Sequence, residues 1–181
     1  MKQTVEMTVH PIPPVYDRQS RILLLGSFPS VRSRQSGFFY GHPRNRLWAV
    51  LAAICDEEIP VTVEEKKEFL LRSHIAMWDV IGCCEIAGSS DASIRNVTVN
   101  DLNIILNSAD IREIYVNGAT AYRYYERYTR ELTGRAAVCL PSTSPANAAW
   151  SLERLTERWN ELIGLALKEE HPLTEAGINN I

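Results

Sequence analysis

The sequence predicts a three-layer α/β sandwich around a four-stranded, mainly parallel sheet. Four short apolar runs recur along the 181 residues, and segments with helical periodicity separate them. Apolar runs of about four to eight residues are typical of strands with two buried faces, as in parallel sheets. Because the length also suits one domain with a substantial core, we expect residues 1–181 to form a single domain.

The strands are the most continuous apolar runs of the chain, and we place them at residues 21–25, 74–81, 113–116 and 136–140. Before the first strand, residues 1–20 are expected to form an extended lead-in, because the prolines of HPIPP exclude a helix. After the last helix, residues 168–181 are expected to fray.

The helices follow from caps and from periodicity, and we place them at residues 45–54, 63–73, 99–107, 119–132 and 149–167. Thr62 and Glu65 have the spacing of a capping box, so the second helix begins after Thr62. Along the last helix, apolar side chains recur three and four positions apart, which predicts a stripe that faces the core. The members of this stripe are Leu152, Leu155, Trp159, Leu162 and Ala166.

Three connections are longer or more polar than a compact fold requires. The first, GSFPSVRSRQSGFFYGHPRNRLW at residues 26–48, joins a strand to a helix. Connections of about twenty residues are usually functional. GCCEIAGSSDAS follows the second strand, and PSTSPANA follows the fourth. Because the carboxyl ends of parallel strands lie on one edge of the sheet, we expect the three loops to converge on one cleft.

The distribution of charge indicates a local site for an anionic partner. The net charge is −3, which is unlike a chain that binds nucleic acid over its whole surface. However, residues 18–55 contain six arginines and no acidic residue, and residues 132–152 also lack Asp and Glu. Two acid-free segments, each containing a predicted loop, suggest a basic patch on a protein whose remaining surface is acidic.

The composition excludes several other classes of protein. Hydrophobic residues make up 45% and charged residues 23%, and no apolar run has the length of a membrane span. The first residues lack the pattern of a signal peptide, so we expect a cytoplasmic protein. The four cysteines form no CxxC pair and are expected to be free thiols. Since GxGxxG, GxxxxGK[ST] and GxSxG motifs are also absent from the sequence, we expect neither a cofactor nor a metal.

Two of the loops resemble motifs of the uracil-DNA glycosylase superfamily. GSFPS at residues 26–30, followed by FYGHPRNRLW at residues 39–48, is similar to the first motif of the mismatch-specific branch. Together with PSTSPANA at residues 141–148, it most resembles the hypoxanthine-DNA glycosylase branch, and the similarity spans residues 21–167. This resemblance implies a monofunctional enzyme of base excision repair. Such an enzyme flips a deaminated base, here hypoxanthine in deoxyinosine, out of DNA and hydrolyses its N-glycosidic bond.

The sequence departs from the wider superfamily at Phe28. This residue stands where other branches carry the Asp or Asn that handles the attacking water. A phenyl ring can neither orient nor deprotonate water. The resemblance to the hypoxanthine branch implies that Asn45 is the catalytic residue instead. We expect its carbonyl oxygen to hold the water and its dipole to stabilise the oxocarbenium-like sugar. Considered without the resemblance, Asn45 has the character of an N-cap.

The remaining roles also follow from the resemblance. We expect Tyr40 to stack on the flipped base and Asp79 to accept the N1–H of hypoxanthine, which adenine lacks, although a role of Asp79 as a cap or salt bridge in the GSSD connection is equally open. The predicted base-binding residues are Gly26, Ser27, Phe28, Tyr40 and Asp79. The predicted DNA-binding residues are His42, Arg44, Arg46, Ser142, Ser144, Pro145, Ala146 and Asn147, with one of the two arginines open to a structural ion pair.

Three alternative functions remain open at this point. The same chemistry could act on uracil in a mismatch, because sequence does not settle the width of the pocket. A non-catalytic DNA-binding module would explain Phe28 as a loss of chemistry. A hydrolase of free nucleosides is disfavoured, because a neutral nucleoside needs no arginine-rich loop. In the leading interpretation the partner is DNA with a deaminated base, and the protein is a monomer without a membrane attachment.

Overall fold

The computed structural model describes residues 6–168 of the chain. The strands are β1 (Glu6–Val9), β2 (Ile22–Gly26), β3 (Ile75–Asp79), β4 (Ile81–Ile86), β5 (Arg95–Val99), β6 (Glu113–Asn117) and β7 (Val138–Leu140). The helices are α1 (Val31–Ser36), α2 (Leu47–Cys55), α3 (Val63–Arg72), α4 (Asn103–Leu106), α5 (Ala119–Tyr124), α6 (Arg130–Thr133) and α7 (Leu152–Lys168). The predicted frayed tail beyond Lys168 lies outside the described residues.

The predicted parallel sheet is confirmed. Its four strands lie in the order β3-β2-β6-β7, and each neighbouring pair is parallel. The central strand β2 is buried along its whole length, which explains why it is a continuous apolar run. The register pairs Gly26 with Asp79 and Asn117 with Leu140. These four residues end their strands, so the loops that follow them all begin at one edge of the sheet.

A second, antiparallel sheet was not predicted. It has the order β1-β4-β5, with β1 drawn from the expected lead-in and β4 from the GCCEI segment expected to be a loop. Only every second or third side chain of β4 is buried, and its glycine and two cysteines are not the β-branched residues that are typical of strands. The predicted helix at 99–107 was also wrong over its first half, because the β-branched residues at 97–99 end β5 and only Asn103–Leu106 is helical.

The other predicted helices agree with the structure to within a few residues, whereas α1 lies inside the connection at residues 26–48 and was not predicted. The capping box is confirmed, because the Thr62 hydroxyl accepts from the Glu65 N–H and the Glu65 carboxylate accepts from the Thr62 N–H. The helix expected at 119–132 contains a π-helical turn, Tyr125–Thr129, between α5 and α6. Helix α7 packs against α2 and buries Leu155 and Trp159 of the predicted stripe, whereas Leu152 is exposed.

Arg46 joins the start of α2 to the loop that follows β7. Its guanidinium donates to the carbonyl oxygens of Thr143 (3.3 Å), Ser144 (2.6 Å), Asn147 (3.1 Å) and Trp150. The Arg46 backbone N–H also donates to the Thr143 carbonyl at 3.2 Å. The planar fork of donors suits this arrangement, in which four carbonyl groups of one loop converge on a single cation. Four of the five N–H donors of the Arg46 guanidinium are thus used within the protein, which favours a structural role for Arg46 over the expected contact with DNA.

We expect Arg46→Lys to lower the free energy of unfolding by about 2–3 kcal/mol, because a lysine ammonium cannot reach four carbonyl groups in fork geometry. Arg44→Lys is the matched control. Arg44 is exposed and no described residue accepts from its guanidinium, so this change should stay within about 0.5 kcal/mol. Urea unfolding followed by circular dichroism measures both. Equal midpoints for the two variants would show that the Arg46 bonds contribute little.

Candidate active site

A cleft of about 470 Å³ opens at the carboxyl edge of the parallel sheet, where the three loops meet. Eleven of the fourteen predicted site residues line it, and they are Gly26, Ser27, Phe28, Tyr40, His42, Asn45, Asp79, Ser142, Ser144, Pro145 and Ala146. Arg44, Arg46 and Asn147 do not. The cleft has the size of a small-molecule site and is open to solvent on one side.

The floor of the cleft is built around Gly26, where two polar side chains approach the backbone closely. A Cβ atom on Gly26 would lie 2.2 Å from Asp79 Oδ1 and 3.0 Å from the Tyr40 hydroxyl oxygen. Neither distance leaves room for an alanine, so glycine is required at this position for steric reasons. The Asp79 carboxylate and the Tyr40 hydroxyl are consequently neighbours at the bottom of the cleft.

Asp79 is held by a histidine from the lead-in segment, which sequence reasoning missed. His10 Nε2 lies 2.7 Å from Asp79 Oδ2, and the two side chains are 2% and 5% exposed. His10 Nδ1 accepts the Ile12 N–H at 3.2 Å, so Nε2 carries the proton and donates to the carboxylate. Oδ1, the other carboxylate oxygen, receives no hydrogen bond from the described residues. Asp79 therefore has a structural partner, which is a histidine of the lead-in and not the cap or salt bridge in the GSSD connection that was left open, and one carboxylate oxygen stays available to a ligand.

Tyr40 is constrained in both backbone and side chain. Its φ of +51° lies in the left-handed region, which is uncommon for a bulky residue and often marks a functional site. Its hydroxyl is buried and finds no hydrogen-bond partner among the described residues. Burial raises the pKa of this hydroxyl, the charge of Asp79 raises it further and the nearby Asn117 side chain lowers it by less, so Tyr40 is a neutral donor at physiological pH. The stacking of its ring on a base stays a prediction.

The Asn45 amide is oriented by bonds to its oxygen. Oδ1 accepts the Leu47 N–H at 3.0 Å and the Thr143 hydroxyl at 2.9 Å. No described residue accepts from Nδ2, so the nitrogen is the end that can serve a ligand in the cleft. This corrects the expectation that the carbonyl oxygen holds a water, because two donors already occupy it. Because Oδ1 is occupied, the end of the amide left for a ligand is the positive end of its dipole, which does not suit the expected stabilisation of a sugar cation.

Phe28 and Asp91 also line the cleft. Phe28 is 8% exposed, and His10 and Arg34 pack against its ring, so it serves as an apolar wall. Asp91 lies in the connection after β4 and accepts a long hydrogen bond from the Ser27 hydroxyl at 3.3 Å. Desolvation raises the pKa of Asp91, the Ser27 bond partly offsets this, and the Asp79 charge adds to the rise. Asp91 therefore brings a second carboxylate to the cleft, next to the position where Phe28 offers none.

The loop after β7 presents small polar groups at the mouth of the cleft. The Ser142 hydroxyl accepts the Ser144 N–H at 3.2 Å, and Asn147 Nδ2 donates to the Ser142 carbonyl at 2.9 Å. Asn147 therefore braces the loop from outside the cleft. His42 accepts the Arg44 N–H at 3.1 Å through Nδ1 and also lines the cleft. Arg32, exposed on α1, adds a cation that sequence reasoning did not assign.

Eleven residues that sequence reasoning did not assign to the site also line the cleft, among them Phe39, Asp91, Asn117 and Thr143. Asn117 ends β6, a position that the strand prediction already placed at the functional edge of the sheet. Thr143 lies between two serines in PSTSPANA, and composition does not distinguish a buried hydroxyl from an exposed one.

The described residues contain no group of three or more His, Cys, Asp or Glu side chains that could hold a metal ion. Within the same range, the four cysteines are free thiols, as expected. No helix from Glu6 to Lys168 is long and apolar enough to cross a membrane.

Comparison with known proteins gives consistent results. The model of the uracil DNA glycosylase superfamily matches residues 13–163. A hypoxanthine DNA glycosylase of Methanosarcina barkeri is 32% identical over 151 residues, which cover 82% of this chain and 94% of the relative. A hypoxanthine DNA glycosylase of Methanosarcina acetivorans is 33% identical over 147 residues, covering 80% and 92%.

A solved structure shows the same fold. The solution NMR structure of a protein from Methanosarcina acetivorans, described as a candidate uracil DNA glycosylase, superposes with a TM-score of 0.75. That protein is 30% identical in sequence, and the match covers 91% of this chain and all of the other. The family match, the curated relatives and the shared fold agree with the motifs around the cleft, and the chain belongs to the uracil-DNA glycosylase superfamily.

Proposed function

We propose that this protein excises hypoxanthine from deoxyinosine in DNA by hydrolysing the N-glycosidic bond. The observation that carries the proposal is the free Asp79 oxygen at the bottom of a nucleobase-sized cleft, beside the buried Tyr40 hydroxyl. The names of the two Methanosarcina relatives support the same substrate. In this proposal the protein acts as a monomer on DNA that contains a deaminated base.

The base would be recognised by a donor and an acceptor set side by side. Hypoxanthine carries N1–H, a donor, next to O6, an acceptor. As a carboxylate oxygen, Asp79 Oδ1 can accept while His10 holds the other oxygen, and the neutral Tyr40 hydroxyl can donate. Adenine presents the reverse order, an acceptor at N1 beside a donor at N6. A buried acceptor that faces the lone pair of N1 would be left unpaired, which rejects the normal base.

The chemistry would require little beyond positioning and a donor for the departing base. As the bond between C1′ and N9 breaks, its electron pair moves to the purine and the sugar becomes oxocarbenium-like. Asn45 Nδ2 can donate to the purine, where negative charge accumulates. Water then bonds to C1′, and its proton leaves to a carboxylate or to the released base. Asp91 is the less engaged of the two cleft carboxylates and is the candidate to orient that water.

Mismatched uracil is the second candidate, because its N3–H and O4 present the same donor and acceptor as hypoxanthine.

We expect a panel of duplexes, each with one lesion, to show cleavage at deoxyinosine with a rate at least about tenfold above that at uracil in a U·G mismatch. Alkali-labile strand breaks measure the rates. Release of uracil alone would reassign the substrate, and salt-dependent binding without any abasic product would indicate a non-catalytic module.

We expect Asn45→Ala to slow single-turnover excision by roughly 100-fold or more, because it removes a donor to the leaving base. Binding of the deoxyinosine duplex should change little, and wild-type rates in this variant would remove Asn45 from the mechanism. Asn45→Asp is the sharper companion. It keeps the oxygen bonded to Leu47 but presents a negative oxygen to the cleft, so it should be as slow as Asn45→Ala. A retained or raised rate would instead indicate that the residue handles water.

We expect Asp79→Asn to reduce excision of hypoxanthine strongly, because the amide can keep its oxygen toward His10 and would then present a donor where N1–H needs an acceptor. Rates on deoxyinosine, compared with the melting temperature of the variant, separate lost recognition from lost stability. Unchanged discrimination between deoxyinosine and deoxyadenosine would show that Asp79 is a structural residue.

A further inference from the structure

Thr143 is completely buried in the loop after β7 and contacts both of the asparagines that line the cleft. Its hydroxyl lies 2.9 Å from Asn117 Nδ2 and 2.9 Å from Asn45 Oδ1. Its backbone N–H donates to Asn117 Oδ1 at 3.0 Å. These bonds form a chain from the end of β6, through the loop, to the start of α2.

The direction of every bond in this chain follows from its two ends. The Thr143 backbone N–H can only donate, so the Asn117 atom that it meets must be Oδ1. Asn117 therefore turns Nδ2 toward the Thr143 hydroxyl and donates to it. The single hydroxyl proton of Thr143 is then left for Asn45. The Leu47 N–H at the other end can also only donate, which independently assigns Oδ1 as the Asn45 atom that accepts.

We propose that Thr143 is a positioning residue, whose hydroxyl proton, directed by Asn117, holds Asn45 with Nδ2 toward the cleft. This inference rests on the proposed function, because it assigns a purpose to the orientation of Asn45. Tethering of the loop is a separate task, since Arg46 performs it through backbone carbonyl groups that Thr143 substitutions leave in place. The hydroxyl can therefore be removed without releasing the loop.

The pair Thr143→Val and Thr143→Ser tests the hydroxyl directly. Valine has nearly the same shape and keeps the backbone N–H, but it loses both hydroxyl bonds, whereas serine keeps them. We expect Thr143→Val to slow single-turnover excision about tenfold or more with duplex affinity within about twofold, and Thr143→Ser to restore most of the rate. A Thr143→Val rate within twofold of wild type, or equal losses in both variants, would overturn the role of the hydroxyl.

Asn117→Asp tests the direction of the chain. A carboxylate still accepts the Thr143 N–H but cannot donate to the hydroxyl, so the hydroxyl proton turns away from Asn45 and toward the carboxylate. We expect a loss similar to that of Thr143→Val. In the Thr143→Val background the same substitution should add less than about twofold, because the chain is already broken. A full additional loss there would mean that the new charge in the cleft, and not the chain, slows excision.

A measurement that needs no activity separates this inference from the proposed function. The side-chain NH₂ resonances of Asn45, assigned by their disappearance in Asn45→Asp, report whether the amide is held. We expect one ordered pair in wild type and Thr143→Ser, and averaged or broadened signals in Thr143→Val. An equally ordered amide in Thr143→Val would contradict the inference even if the protein excises hypoxanthine. Ordered wild-type signals without any excision would remove the proposed function alone.

Discussion

The dipeptide Asn45–Arg46 at the start of α2 carries the interaction on which the rest of the site depends. The Arg46 guanidinium gathers four carbonyl groups of the loop after β7, while Asn45 accepts from Thr143 of the same loop. Two segments separated by about a hundred positions in sequence are thereby fixed against each other at the edge of the sheet. The cleft exists in the space that this attachment leaves open. Because the bonds to Arg46 are charge-assisted, they are stronger than ordinary hydrogen bonds of the backbone.

At the floor of the cleft, in contrast to Arg46 with its four bonded carbonyl groups, polar groups are left partly without hydrogen-bond partners in the described part of the chain. His10 satisfies one oxygen of Asp79, while the other oxygen and the Tyr40 hydroxyl have no hydrogen-bond partner within residues 6–168. Unpaired polar groups are costly in a buried site, and the positive φ of Tyr40 adds strain. A ligand that supplies both bonds would relieve the cost of the unpaired groups. The site therefore favours a planar ring with a donor next to an acceptor, and it disfavours one that presents them in reverse.

The parallel sheet could be predicted because buried strands such as β2 are apolar throughout. Most of the helices could be predicted as well, for example α3, whose start is marked by the capping box of Thr62. The second sheet could not, since β4 combines glycine, cysteine and glutamate without alternation that composition can detect. In the site, motifs identified the residues but not their orientation. The Asn45 oxygen is held by Thr143 as well as by the nearby Leu47 N–H, and one oxygen of Asp79 is held by His10. Thr143 and His10 are too distant in sequence from these partners for any spacing rule to find them.

The most direct test is a crystal structure of the protein with a duplex that contains 2′-fluoro-deoxyinosine, whose glycosidic bond resists hydrolysis. We expect hypoxanthine to lie outside the helix and inside the cleft. Its N1 should lie within about 3.2 Å of Asp79 Oδ1, with Asn45 Nδ2 at hydrogen-bond distance from a purine acceptor. A base that stays stacked in the duplex, or an Asn45 that leaves Thr143 to turn its oxygen toward the ligand, would contradict the account.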